Sequence, residues 1–315
     1  MAIPSYTKRI FRKQVLLAKI ETTPGTDSTP LANANAIMLT ETTFTPIEGE
    51  EVERDYYLPW LGHQGIIPVG LYARLEFSID MAGAGGAGDV PAYGPLLRAC
   101  GLAETVTADT SVAYTPIASA FEALSIYFNM DSVRHVLLGA RGTFTIEQTP
   151  LRIPRFRFTL TGLLAGITDV SLPTPTLTAW NKAKPVSKAL TSMTLHGNEQ
   201  VAESFSFDLG AQVEPRMLIG EESIQIVDRK TRGSAVVEAT PLSVKNWFSI
   251  YQAETLAPLS FVHGTAEGYI VEVASSNVQI GKPTYGQTQQ IVNNTLPLMF
   301  LPSGAGNDDF SIIVR

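Results

Sequence analysis

Gly83, Gly85 and Gly88, in the run Gly83-Ala84-Gly85-Gly86-Ala87-Gly88, stand at the G-x-G-x-x-G spacing that brings backbone N–H groups close to a dinucleotide pyrophosphate. That chemistry also needs a buried parallel strand before the glycines, a helix opening on the last of them, and an acidic residue about 20 positions on. Glu104 has the spacing, but Pro91 and Pro95 follow the glycines and no buried parallel strand precedes Glu104. The run therefore reads as an inserted flexible linker. His63, His135, His196 and His263 are scattered without a second ligand at metal-site spacing, and no Cys-x-x-Cys or His-Glu-x-x-His occurs. Cys100, the one cysteine, sits in LLRACG on the apolar side of an expected helix and reads as a small buried hydrophobe. Asp308 and Asp309 lie in a Gly/Asn-rich turn that explains them. No nucleophile elbow, Walker lysine or carboxylate pair stands out. The expectation is no enzyme: no catalytic residue, no cofactor and no metal.

The elements around these residues are strands. In Leu71–Asp80 the period is two, with Leu71, Ala73, Leu75, Phe77 and Ile79 on one face and Tyr72, Arg74, Glu76, Ser78 and Asp80 on the other. Thr143–Glu147 and Arg155–Thr161 split the same way, which fits antiparallel sheets with one wet face. Short helices are expected in PAYGPLLRACG and VKNWFSIYQAE. The second half repeats the plan of the first without its letters. SAVVEATPL, VKNWFSIYQAE, APLSFVHG, SNVQIGK and NTLPLMFL follow the order of LYARLEFSID, PAYGPLLRACG, ALSIYFNM, RGTFTIEQ and RFRFTLTGL. The Pro-rich stretch SLPTPTLTAWNKAKPVSK divides them. The expected organisation is an amino-terminal arm over 1–36, a first β unit over 37–178 and a second over 179–315.

Two segments are set apart from the sheets. The arm holds Lys8, Arg9, Arg12 and Lys13 and then ETTPGTDSTPLANANA, which reads as loop or extended chain. Between TETTFTP and LYARLEF lies a long acidic excursion with Glu48, Glu50, Glu51, Glu53 and Asp55. Its Tyr56, Tyr57, Leu58, Trp60 and Leu61 need a surface to pack on, so it reads as a partner-binding loop. AQVEPRMLIGEESIQIVDRKTRG occupies the equivalent place in the second half, partly as a hairpin.

With 315 residues and 44% hydrophobic residues, the chain can build two cores. Only 17% of its residues are charged, against about a quarter in an ordinary soluble domain, which points to surface hidden between subunits. A net charge of −7 argues against a sequence-independent nucleic-acid binder, which needs a basic groove. VLLA is too short for an export signal and no run approaches the roughly 20 apolar residues of a membrane helix, so no membrane partner is expected.

The order strand, long loop, return strand, covering helix and further strands, in TETTFTP…RDYYLPWLGHQG…LYARLEFSIDMAG…YGPLLRACGL…ALSIYFNM…LLGARGTFTIEQTPLRIPRFRFTLTGLLAG, resembles the tail tube (major tail) proteins of long-tailed, non-contractile bacteriophages. LLAKIETTPGTDSTPLANANAI is similar to the arm of this family in Mu-like phages with flexible tails. The resemblance implies a mainly β fold with short helices: two tandem tail-tube-like sandwich units whose sheets join between subunits into a ring-shaped β-barrel. It implies stacked rings around a channel for DNA during ejection, assembled in the host cytoplasm. Partners would be further copies of the chain, a tape measure protein in the lumen, and terminator and distal tail proteins at the tube ends. Genomic DNA would pass without specific binding.

The resemblance implies sixfold rings from single-copy subunits and, for a doubled one, a trimer with pseudo-sixfold symmetry; the alternative is that the second half is an immunoglobulin-like decoration. On this reading Glu76, Ser78, Asp80 and Glu238 line the channel. Arg9, Arg12 and Lys13 of the arm, with Glu50, Glu51, Glu53, Tyr56, Tyr57 and Trp60 of the loop, join one ring to the next. The competing expectation is a secreted carbohydrate-binding β protein, with Tyr56, Tyr57 and Trp60 stacked on sugar rings.

Overall fold

The computed structural model describes residues 8–315. Its first half contains β1 (Gln14–Ile20), β2 (Ala36–Ile37), β3 (Thr40–Glu53), β4 (Ile66–Asp80), α1 (Gly94–Ala99), β5 (Leu102–Thr107), β6 (Ser111–Pro116), β7 (Leu124–Met130), β8 (Val133–Gln148) and β9 (Arg155–Asp169). The second half contains β10 (Thr191–Leu195), β11 (Asn198–Glu199), β12 (Ala202–Asp208), β13 (Ala211–Leu218), β14 (Glu221–Arg229), β15 (Arg232–Glu238), α2 (Trp247–Gln252), β16 (Leu256–His263), β17 (Val271–Ile280), β18 (Thr284–Thr288), β19 (Ile291–Phe300) and β20 (Ser311–Val314). Among the described residues the chain is mainly β with two short helices, as the alternating patterns require, and no barrel closes.

Hydrogen bonds order the first half β2-β1-β7-β8-β9-β4-β3. They order the second β11-β10-β16-β17-β19-β15-β12. Position for position these are the same sequence of strands, all antiparallel. Where β8 is continuous, its counterpart breaks at Gly281–Pro283 into β17 and β18, both paired with β19. Where β9 runs unbroken alongside β8, β19 stops at Phe300 and β20 takes over beside β17. The β5–β6 hairpin has no counterpart in the second half and pairs with β20 instead.

The helices also correspond. Asn246 caps α2 by accepting a bond from Ser249 N at 3.0 Å, and Pro95 opens α1. Each ends on a left-handed residue two positions past its last helical one, Gly101 (φ 85°) and Glu254 (φ 51°). Leu96 and Leu97 of α1 and Trp247 of α2 are buried, each contributing roughly 1.5–3 kcal/mol of apolar burial.

One continuous core runs through both halves, from Leu16 to Val314. Phe77 stacks on Phe158 at 5.7 Å and Phe205 on Phe261 at 4.8 Å, while Phe144 of β8 meets Phe207 of β12 at 6.1 Å, joining the halves. The halves are therefore not separate globules.

Two expectations change. The arm is not loose throughout: β1 buries Val15, Leu16, Leu17 and Ala18 and pairs along its whole length with β7. An apolar run buried on both faces has no alternation to betray it. Residues 1–7 of the expected arm lie outside the described residues. The glycine run is not a flexible linker either. Gly85 N donates to Gly268 O at 2.8 Å, and a Cβ on Gly83 would come within 2.3 Å of Gly268 O, so the run passes backbone to backbone against the β16–β17 turn.

Candidate assembly interface

β8 is longer than any one neighbour. Its first part pairs with β7, and its last residues, Thr145–Gln148, pair with Phe205–Asp208 of β12. This intrachain seam joins the outer strand of the second half to the first half. Leu209 N extends it, donating to Phe144 O at 3.1 Å. Its residues are sealed: Phe144, Ile146, Phe205 and Phe207 are at most 1% exposed.

The counterparts of the two seam strands are open. β3, the counterpart of β12, pairs only with β4 among the described residues. β18, the counterpart of the end of β8, pairs only with β19. Next to the β18 edge Tyr285 is 66% and Leu256 47% exposed, with Phe248 against the Tyr285 ring at 5.3 Å. An unpaired edge beside exposed aromatic surface is a template for another strand.

A second asymmetry concerns the excursions. In the second half the chain turns at Gly210 (φ 64°) into the β13–β14 ribbon, which folds down on β8 and β9. Arg141 of β8 fixes it: Nη1 donates to Ile224 O at 2.6 Å and Gln225 Oε1 at 2.8 Å, while Nη2 donates to Phe121 O at 2.7 Å. Ile224 is 1% exposed, Ile226 lies against Phe121 and Gly101, and Met217 reaches Gly70 of β4. Glu122 O also accepts from Arg141 Nε, at 3.1 Å.

In the first half the same excursion is an extension of β3 and β4. The ladder continues through Glu50↔Val69 and Glu53↔Ile66, so much of the expected loop is strand, leaving 54–65 as the tip. Gln64 closes that tip, accepting from Tyr56 N at 2.9 Å and donating to Tyr56 O at 2.6 Å. The hairpin is bare. Tyr57 and Leu61 are fully exposed, Tyr56 and Trp60 about two-thirds so, and Glu50, Glu51 and Glu53 lie on the surface.

Arg9, Arg12 and Lys13 are exposed beside the β7–β8 turn. Arg9 Nη2 donates to Met130 O at 2.8 Å and Ile10 N to Asp131 Oδ2 at 2.8 Å, so this basic segment is pinned to the β7–β8 turn.

The polar face of β4 carries the charges its alternation foretells, already matched. Asp80 bridges Arg155 at 3.1 Å, Glu76 bridges Arg157 at 3.7 Å, and Glu48 bridges Arg74 at 3.4 Å. Ser78 is only 3% exposed and donates to Glu41, so the Glu41 carboxylate stands above it, also bonded to Arg155. Glu238 is exposed at the end of β15.

No cluster among the described residues has the makings of a metal site. His196 and His263 are buried and used structurally: His196 Nε2 meets Val278 O at 2.9 Å, and His263 meets Thr191 Oγ1 at 2.8 Å and Lys184 O at 3.1 Å. Burial holds both imidazoles below the ordinary histidine range and pushes the Cys100 thiol up.

Comparison with curated individual proteins gave no match. The family model of the phage tail tube protein matches residues 12–298, from just before β1 into β19. Two open edges, a bare hairpin and a match over nearly the whole chain converge: this chain belongs to the phage tail tube protein family, structural components of the virion tail.

Proposed function

We propose that three copies of this chain close into a ring, and that rings stack into the tube through which DNA leaves the capsid. The observation that carries the reading is the intrachain seam between β12 and β8 together with its two open counterparts, β3 and β18. If β3 of one chain pairs with β18 of the next as β12 pairs with β8, both open counterparts of the intrachain seam are used. Each chain then supplies two tandem tube units, 37–178 completed by β1 and 179–315, and a trimer has six. Closure removes the edges without a covering element.

The polar faces of β4, β9 and β15 then form the channel wall. Glu76, Asp80 and Glu238 line it, with Glu41 standing over Ser78. Ion pairing on that wall leaves a mixed surface of modest negative charge, along which DNA moves without a basic groove to hold it. The pinned basic segment at Arg9, Arg12 and Lys13 serves the junction between rings, where it can meet carboxylates of the neighbouring ring. The role is structural, with no enzymatic step. The lumen holds a tape measure protein before ejection, terminator and distal tail proteins cap the ends, and assembly takes place in the host cytoplasm.

Electron microscopy of the purified chain tests the reading. Rings or stacked tubes with a central channel are expected; a compact monomer that binds glycans would replace it with a carbohydrate-binding one. Lys at both Glu76 and Glu238 is expected to leave tubes intact and slow DNA delivery, and normal infectivity would remove these residues from the wall.

A further inference from the structure

We infer that the bare β3–β4 hairpin lies sideways on the second half of the adjacent copy within the same ring, not on the ring above or below. The inference rests on the ring proposed above and commits to one occupant, a second copy of this chain.

The template is inside the molecule. The β13–β14 ribbon leaves the sheet at the end of β12, crosses the seam, and lies over β8 and β9 until Met217 touches Gly70 on β4. The β3–β4 hairpin leaves the sheet at the end of the counterpart strand. A glycine with positive φ bounds each excursion, Gly210 where the chain enters the ribbon and Gly70 on the strand returning from the hairpin. Carried across a β3–β18 seam, the hairpin crosses β18 and β19 of the next chain toward β15. The ribbon reaches β4 near its start, and β15 is the counterpart of β4, so the tip around Trp60 is carried to the start of β15, near Arg232.

Three observations on the receiving surface agree. Leu256 and Tyr285 are exposed beside the turn after α2, the counterpart of the place where Ile226 packs on Gly101 and Phe121. Met299, the partner of Arg232 in the β15–β19 ladder, is 42% exposed. The charges are opposite: Glu50, Glu51 and Glu53 line the hairpin, while exposed Arg232 and Lys282 lie along its path. Arg232 also offers a cation to the ring of Trp60.

Cross-linking tests this contact, because contacts within a closed ring end at the ring and contacts between rings do not. Cys100 is buried, so introduced cysteines report alone. Assembled Trp60→Cys/Arg232→Cys protein, with Trp60→Cys/Met299→Cys as a second pair that keeps the Arg232–Asp208 bridge, is treated with a short bismaleimide. The products are separated under denaturing conditions after electron microscopy of the same sample. A product series that stops at three chains is expected. A ladder running beyond three chains would put the hairpin on another ring and overturn the inference, as would intact rings that yield no cross-linked chains with either pair. Absence of rings would overturn the tube reading and this contact with it.

Discussion

The β13–β14 ribbon and the β3–β4 hairpin leave equivalent places in the two halves, yet one is clamped down and the other stands free. Ile224 is sealed beneath its ribbon by the Arg141 hydrogen bonds, whereas Tyr57 and Leu61 are as exposed as in an extended chain. The seam strands differ in the same way, Ile146 at the end of β8 being buried where Tyr285 on its counterpart β18 is open. The second half finds its neighbour within its own chain; the first half does not. Gene-like duplication of a unit that needs a neighbour satisfies half of the contacts internally and leaves the other half for another molecule. The missing surfaces can then be read from the satisfied ones.

That comparison can be broken at its open side first. Tyr285→Asp puts a charge where the proposed ring would seal the edge, yet in the free chain that position faces water. Rings are expected to be lost altogether while the melting temperature of the unassembled chain stays put; assembly at wild-type yield would show that β18 is not a seam. The matching change at the closed side has the opposite signature. Phe207→Ala removes a ring packed against Phe144, Phe300 and Phe310 and should cost about 3–5 kcal/mol in denaturant unfolding of the single chain.

Arg141→Met sharpens the account of the two hairpins. It strips the partners from Ile224 O, Phe121 O and Glu122 O, a loss on the order of 2–3 kcal/mol, and amide exchange should rise in 211–229 more than in the rest of the sheet. Unchanged exchange in that segment would mean that packing alone holds the ribbon down. The smallest effect concerns pH. His196 and His263 have folded pKa values depressed below the unfolded one near 6.5, so the unfolded chain binds protons first. Their stabilising contribution is complete above that value and declines as pH falls below it. Unfolding midpoints measured from pH 7.5 down to 5 should fall, and His196→Gln with His263→Gln should flatten the slope.

Much of this was legible in the residues because period-two alternation is strong where one sheet face is wet. Leu71–Asp80 and Arg155–Thr161 declare their strands, and the recurring order of strand and helix declares the repeat. Other parts were hidden for physical reasons. Glu48, Glu50, Glu51 and Glu53 read as loop because both faces of the distal β3 are solvated and carboxylates are poor strand formers, so only the ladder to β4 reveals the strand. β5 and β6 are short and turn at Asp109, whose positive φ no flanking glycine announces. The matching of Glu76 and Asp80 by Arg157 and Arg155 arises across strands, through a register that linear spacing does not contain. The open edges belong to the sheet order, which exists only once the chain has folded.

The most direct test of the central claim is the number of chains in one ring, measured by native mass spectrometry on rings released from the tube and by the rotational symmetry of end-on electron micrographs. Pairing of β3 with β18 between chains predicts three chains showing six similar lobes. Six chains per ring, each contributing one lobe to the wall, would contradict it.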